Sequence, residues 1–216
     1  MTDFATRRRI MVDTQVRPQD VTRFPIIEAF LDVPRERFLP ASLAEAAYVG
    51  ENLELPDGGV VLEPRTLAKM LEGVAPRPFE LALDIAPAGG YSTAVLARMT
   101  EAVVAVEEPA RAAETEATLL SEGVDNAAVH AGPLVEGAPK FGPYDVILVQ
   151  GAVEVFPAAL EEQLKDGGRA AAVFLDGRLG TVRIGLKADG RVNWRDAFNA
   201  GAPLLPGFER PSAFVL

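Results

Sequence analysis

The chain has 216 residues, 49% of them hydrophobic, which suits one folded core with a small extension better than two domains and excludes a disordered chain. It holds no cysteine and a single histidine, so disulfides, a thiolate nucleophile, a cysteine-type zinc site and a Ser-His-Asp triad are all disfavoured, and no metal is expected. Twenty-one basic against 31 acidic residues leave a formal charge of −10, which repels phosphate backbones and argues against a nucleic-acid partner.

The N-terminus, MTDFATRRRIMVD, lacks the apolar stretch of a signal peptide, and no segment is long and apolar enough to span a bilayer, so no membrane partner and a cytoplasmic location are expected. Thr2 or Asp3 can cap a first helix, with Arg7-Arg8-Arg9 read as its solvated face. Val21 to Val33 has helical apolar spacing and stops before Pro34. Glu51 to Leu62 reads as loop or edge strand, and Pro64 opens a helix to Val74 with Leu67, Met70 and Leu71 on one face.

From Glu80 the pattern becomes regular. Leu81–Ile85 is a buried strand, followed by Gly89-Gly90 and a helix through Met99; Ala102–Val106 is a strand, and Pro109–Ser121 a helix closing at Gly123. Ala127–His130 and Tyr144–Val149 are further strands. A helix over Pro157–Lys165 then ends at Gly167-Gly168 and leads into the strand Ala170–Leu175. Apolar strands alternating with helices predict a doubly wound, mostly parallel sheet. Thr181–Leu186, Arg191–Phe198 and Ser212–Leu216 predict antiparallel strands at one edge, with a turn at Asp189-Gly190. His130 and Trp194 are read as packing residues, and Glu161 and Glu162 as a solvated helix face.

In such a sheet ligands sit beyond the carboxyl ends of the strands where the winding direction reverses. The first strand-to-helix turn there reads Asp84-Ile-Ala-Pro-Ala-Gly-Gly-Tyr91, small enough for close backbone approach, and Glu107 ends the second strand. A carboxylate at that place can accept the two hydroxyls of a ribose. Turn and acid together point to a nucleoside-type ligand, the alternative being a tight turn beside a solvated acidic loop. Strand alternation puts Glu107 and Glu108 on opposite faces. G-x-G-x-x-G is absent and Pro87 removes an amide, so a nicotinamide-dependent oxidoreductase is set aside.

Several motifs resemble the protein-L-isoaspartate (D-aspartate) O-methyltransferase family over about Arg9 to Arg169: Met11-Val12, Val33-Pro-Arg-Glu-Arg-Phe-Leu-Pro40, Ala47-Tyr48, Pro64, Asp84–Tyr91 with Ala94–Ala97, Val106-Glu107, Gly123 with Asn126, Tyr144-Asp145, and Gln163-Leu164 with Gly167-Gly168-Arg169. Pro203-Leu-Leu-Pro-Gly-Phe208 looks closer to a bacterial side branch. The resemblance implies a seven-stranded class I S-adenosylmethionine methyltransferase fold as one domain over 1–216, with an N-terminal helical cap at 1–63 and a Rossmann-like core at 64–216. It also implies S-adenosylmethionine as methyl donor and an isoaspartyl carboxylate in a protein or peptide as acceptor. That carboxylate is itself the nucleophile, so no catalytic side chain is singled out. Asp84, Ala86, Ala88, Gly90, Tyr91 and Glu107 fall on the donor positions, and Val60 and Leu62 on acceptor positions.

The chain departs from the family pattern at those positions. Where the family reads A-Y-x-D-x-x-L-P-I-G-x-G-Q-T-I-S-Q-P, Gly50 replaces Asp, Gly59 replaces Gln, Val60 replaces Thr and Leu62 replaces Ser. Two of three loop glycines are Ala86 and Ala88, and the Asp after the third strand is Pro133. These changes predict weakened donor binding and altered acceptor recognition. They also leave open a catalytically degenerate protein that keeps the fold as a binding or interaction scaffold.

Overall fold

A computed structural model describes residues 3–56 and 58–211. Helix α1 (Phe4–Met11) is capped by Asp3, whose carboxylate accepts the Thr6 amide at 2.8 Å. A π-helical turn over Val12–Val16 and a 3₁₀ turn over Arg17–Gln19 carry the chain to α2 (Phe24–Asp32), which stops before Pro34 as expected. The arginine run is not a uniform solvated face. Arg7 pairs with Glu45 at 2.9 Å, whereas Arg8 donates to the carbonyls of Leu31 and Asp32 and to the Tyr48 hydroxyl, closing the C-terminus of α2. Carbonyls left over at a helix end attract a guanidinium, and helical periodicity cannot foresee which distant helix end lies nearby.

The segment read as loop or edge strand is a short hairpin, β1 (Leu53–Glu54) with β2 (Val60–Val61), antiparallel in the register Leu53 to Val61. Helix α3 (Pro64–Val74) buries Leu67, Met70 and Leu71, the face that its spacing predicted.

Strands β3 (Leu81–Ile85), β4 (Ala102–Glu107), β5 (Ala127–Ala131), β6 (Tyr144–Val153), β7 (Leu164–Asp176), β8 (Leu179–Ala188) and β9 (Arg191–Asn199) form one sheet in the order β5-β4-β3-β6-β7-β8-β9. The first five are parallel; β8 and β9 are antiparallel, and Asp189 and Gly190, both at positive φ, make the turn between them. Helices α4 (Tyr91–Ala97), α5 (Pro109–Ser121) and α6 (Ala158–Gln163) join the parallel strands. Alternate strand residues feed two apolar layers, Val103, Val146 and Leu148 on one face and Leu83, Ile85 and Ile147 on the other, which explains the unbroken hydrophobic runs. Among the described residues no helix is long and apolar enough to cross a membrane.

Two strands outrun their sequence signal. β6 continues through Gln150–Val153 because the segment after β9 pairs with it: the Ala152 amide donates to Pro203 O at 2.8 Å, and the Leu205 amide donates back to Ala152 O at 2.9 Å. β7 begins at Leu164, so α6 ends at Gln163 and Gly167-Gly168 lies inside the irregular start of the strand. The expected strand Ser212–Leu216 lies outside the described residues. Trp194 packs between Phe156 and Phe174, with ring centroids 4.9 and 4.8 Å away, and His130 meets the edge of Phe141. Arg169 grips Glu80 through two nitrogens while donating to the Val74 and Ala75 carbonyls, tying the end of α3 to β7.

Candidate functional site

β3 lies between β4 and β6, so the winding reverses there and a crevice opens at the carboxyl ends of these strands. The turn leaving β3 occupies that place. Ala86 and Ala88 sit at φ 60° and 47°, followed by Gly89 and Gly90 at 96° and 93°. A left-handed alanine costs about 1–2 kcal/mol, so the turn keeps a glycine-type conformation where two side chains oppose it. Gly89 is tightly constrained: a Cβ there would lie 2.6 Å from Phe38 O, in the segment Val33–Pro40. The contact depends on a loop some fifty residues upstream, so nothing in the local sequence sets Gly89 apart from the expected Gly90. Replacing Ala88 with glycine is expected to stabilise the protein by about 0.5–1 kcal/mol, since relief of strain exceeds the added freedom of the unfolded chain. Chemical denaturation would measure it, and a loss of stability would contradict the strain.

Asp84, at the end of β3, is completely buried. It accepts hydrogen bonds from Ser92 Oγ at 2.6 Å, Thr93 Oγ1 at 2.8 Å and Gln150 Nε2 at 2.7 Å. Burial raises its pKa to about 6 against the pull of those donors. Asp84 thus clamps the first turn of α4 and the end of β6 to the turn. Ser92, Thr93 and Gln150 lie outside the set expected from sequence; the hydroxyl pair opening a helix after a strand-end acid is the available signal for the first two.

Glu107 reaches across from β4. Its Oε2 accepts the Ala88 amide at 2.9 Å, and its Oε1 accepts the Glu108 amide at 3.0 Å and Arg111 Nε at 3.1 Å. Burial raises its pKa, opposed chiefly by the Arg111 charge. The predicted turn and acid are therefore brought together. Glu108 departs from the expected opposite face: it is the N-cap residue of α5, and its carboxylate meets the same Arg111 at 2.7 Å. The strand stops at Glu107, so alternation does not reach Glu108.

Tyr91 is buried at the start of α4, edge-on to Phe30 and Phe38, with the Arg35 guanidinium 4.8 Å from its ring centre. Burial pushes its hydroxyl up to about 12. Val60 and Leu62 are buried and share a crevice with Pro87, Tyr91, Ser92 and Gln150 that leaves no room for a water molecule. The hairpin rests directly on the turn, since a Cβ at Gly59 would stand 3.0 Å from Ala88 Cβ and 3.6 Å from Arg111 Nε. Beside this closed crevice lies an open cleft of about 240 Å³ lined by Phe38, Pro40, Leu55, Gly89, Arg111 and Thr115. Leu205 covers Gly151 at the end of β6, and Pro133 leads into a 3₁₀ turn.

Strand order, the small-residue turn and an acid at the end of the second strand define a methyltransferase-type α/β protein of class I. The sequence profile of the protein-L-isoaspartate(D-aspartate) O-methyltransferase family matches residues 8–194. Proteins named protein-L-isoaspartate O-methyltransferase are similar along most of their length. The one from Roseiflexus castenholzii is 33% identical over 87% of this chain and 86% of its own, and that from Methanoregula boonei 35% identical over 85% and 84%. Among solved structures, a protein-L-isoaspartate O-methyltransferase superposes with a TM-score of 0.80 at 24% identity, covering 95% of this chain and 66% of the other. A Plasmodium falciparum protein described as a possible member of that family, solved with S-adenosyl-L-homocysteine, superposes with a TM-score of 0.79 at 15% identity, covering 95% and 99%. The chain belongs to the protein-L-isoaspartate O-methyltransferase family.

Proposed function

We propose that the chain is an S-adenosylmethionine-dependent methyltransferase acting on the carboxylate of isoaspartyl residues in proteins or peptides, with its donor affinity weakened. The observation that carries this reading is the turn held against Glu107. Two alanines stay at positive φ beside a buried carboxylate, and strain of this kind is kept where a ligand or reaction needs the geometry. The residues suit a nucleoside in kind: Glu107 already satisfies itself with donors, as it would with ribose hydroxyls. Ala86, Ala88 and Gly90 offer close backbone approach, and Asp84 and Tyr91 hold the turn from behind. Bound there, S-adenosylmethionine would supply an electrophilic methyl group. The acceptor carboxylate is its own nucleophile, so the chain has to position it and exclude water, which the apolar wall of Val60 and Leu62 serves. Residues 64–216 would carry the site and 1–63 cap it, in a cytoplasmic protein.

Transfer of a labelled methyl group from S-adenosylmethionine to an isoaspartyl peptide tests the reading. Turnover above the rate without enzyme is expected; background transfer by folded protein, across several isoaspartyl peptides, would sink it.

A second reading rests on Val60 and Leu62 themselves. They stand where the family carries Thr and Ser, and each lost hydrogen bond to a charged group costs about 1.5–3 kcal/mol. Several such losses would leave a degenerate scaffold that binds without turning over, and background transfer is the outcome that favours it.

A further inference from the structure

We propose that Arg111 is an internal competitor for the donor seat, holding Glu107 and giving way when the nucleoside binds. The inference rests on the donor reading above and concerns how that same site is controlled. Arg111 lies in the first turn of α5, four residues after Glu107 and three after Glu108, and its guanidinium joins both carboxylates, Oε1 of Glu107 at 3.1 Å and Oε2 of Glu108 at 2.7 Å. A cation in the first turn of a helix opposes the helix dipole. Its place is therefore held by its side-chain partners, these two acids among them, and not by the helix.

The geometry of Glu107 puts Arg111 in the way. Each carboxylate oxygen can accept about two hydrogen bonds. Among the described residues Oε2 takes only the Ala88 amide and keeps a place, whereas Oε1 takes both the Glu108 amide and Arg111. A pair of hydroxyls, one on each oxygen, therefore needs the place on Oε1 that Arg111 fills. Guanidinium and a pair of ribose hydroxyls make the same kind of contact with a carboxylate and compete for it. Arg111 is also nearly enclosed, with 11% of its side chain exposed, beneath the hairpin at Gly59. Its other side lines the 240 Å³ cleft together with Glu114, one helical turn along α5. A guanidinium leaving Glu107 can swing into that cleft while keeping Glu108 and gaining Glu114, so release costs less than stripping the charge of every partner. The hairpin rests on Arg111 and on Ala88, and the same movement uncovers the turn.

Calorimetric titration with S-adenosylhomocysteine tests the latch. R111M keeps the apolar stem and removes the competing N–H groups, and is expected to bind at least tenfold more tightly than the wild type. R111K keeps the charge without the fork, guards against misfolding caused by an orphaned Glu107, and is expected to fall between them. Thermal melting establishes that each variant is folded. If the wild type binds and R111M binds no more tightly, Arg111 is not an obstacle and the latch is overturned while the donor reading stands. If none of the three folded proteins binds at millimolar ligand, something other than Arg111 shuts the seat; the latch is overturned, and the donor reading falls with it.

Discussion

Asp84→Asn is expected to make the protein more stable at pH 8 by up to about 3 kcal/mol and to leave it nearly unchanged at pH 4. Two effects oppose each other at this carboxylate. Three donors favour its charged form, and total burial disfavours it. A pKa near 6, above the ordinary aspartate value, means burial wins. The folded protein therefore binds a proton that the unfolded chain has already released. Asp84's contribution to stability is present in full below the unfolded pKa of about 3.9 and is lost as pH rises through 6. Two pKa units at 1.36 kcal/mol each give the size of the loss. Asparagine does not titrate, and the hydroxyls of Ser92 and Thr93 can turn to accept from its amide. Urea unfolding of both proteins from pH 4 to pH 8 isolates the effect, because every other group is shared. A difference that does not change with pH, or a variant less stable at pH 8, would show that the three hydrogen bonds outweigh burial.

Arg35→Ala is expected to cost about 3–5 kcal/mol, the range for breaking a buried charged contact. Arg35 is completely buried and has no carboxylate partner among the described residues; it donates to the carbonyls of Ala47 and Leu62 at 2.8 Å and of Val61 at 3.4 Å and lies against the Tyr91 ring. Burial pulls its pKa below the usual arginine value, yet three carbonyls and an aromatic face hold it in place. Truncation would strand those carbonyls at about 1–3 kcal/mol each, less whatever water repairs and whatever burying the charge had cost. Lysine cannot span the same acceptors and should recover less than half of the loss. The hairpin would loosen first, because Arg35 is what ties Val61 and Leu62 to the N-terminal segment. Urea midpoints and protease cleavage between residues 53 and 61 measure the two consequences. A loss under 1 kcal/mol with an uncut hairpin would mean that the apolar contacts of Val60 and Leu62 hold it alone.

How much of this site could be read beforehand depends on the distance over which each part is assembled. The turn Asp84–Tyr91 and Glu107 were legible because each sits at the end of its own apolar strand, and the parallel fold brings the ends of neighbouring strands together. The partners of Asp84 divide on the same principle: Ser92 and Thr93 are local, whereas Gln150 arrives from β6 and depends on the strand order. Gly89 against Phe38, Arg8 on the end of α2 and Arg35 under the hairpin are contacts between segments with no common period, so nothing in either segment announces the other.

The amino-acid sequence by itself determined the sheet, its parallel core and antiparallel edge, the place of the small-residue turn and the family. Hydrophobic periodicity, capping residues and motif spacing are properties of neighbours along the chain. Only the tertiary structure decided that Glu107 and Glu108 share one arginine, that the hairpin at Gly59 lies on Ala88, and that β6 is lengthened by the segment around Leu205. Each of those depends on which buried donor meets which buried acceptor. Unpaired polar groups are costly inside a protein, so that choice is made by the whole fold at once.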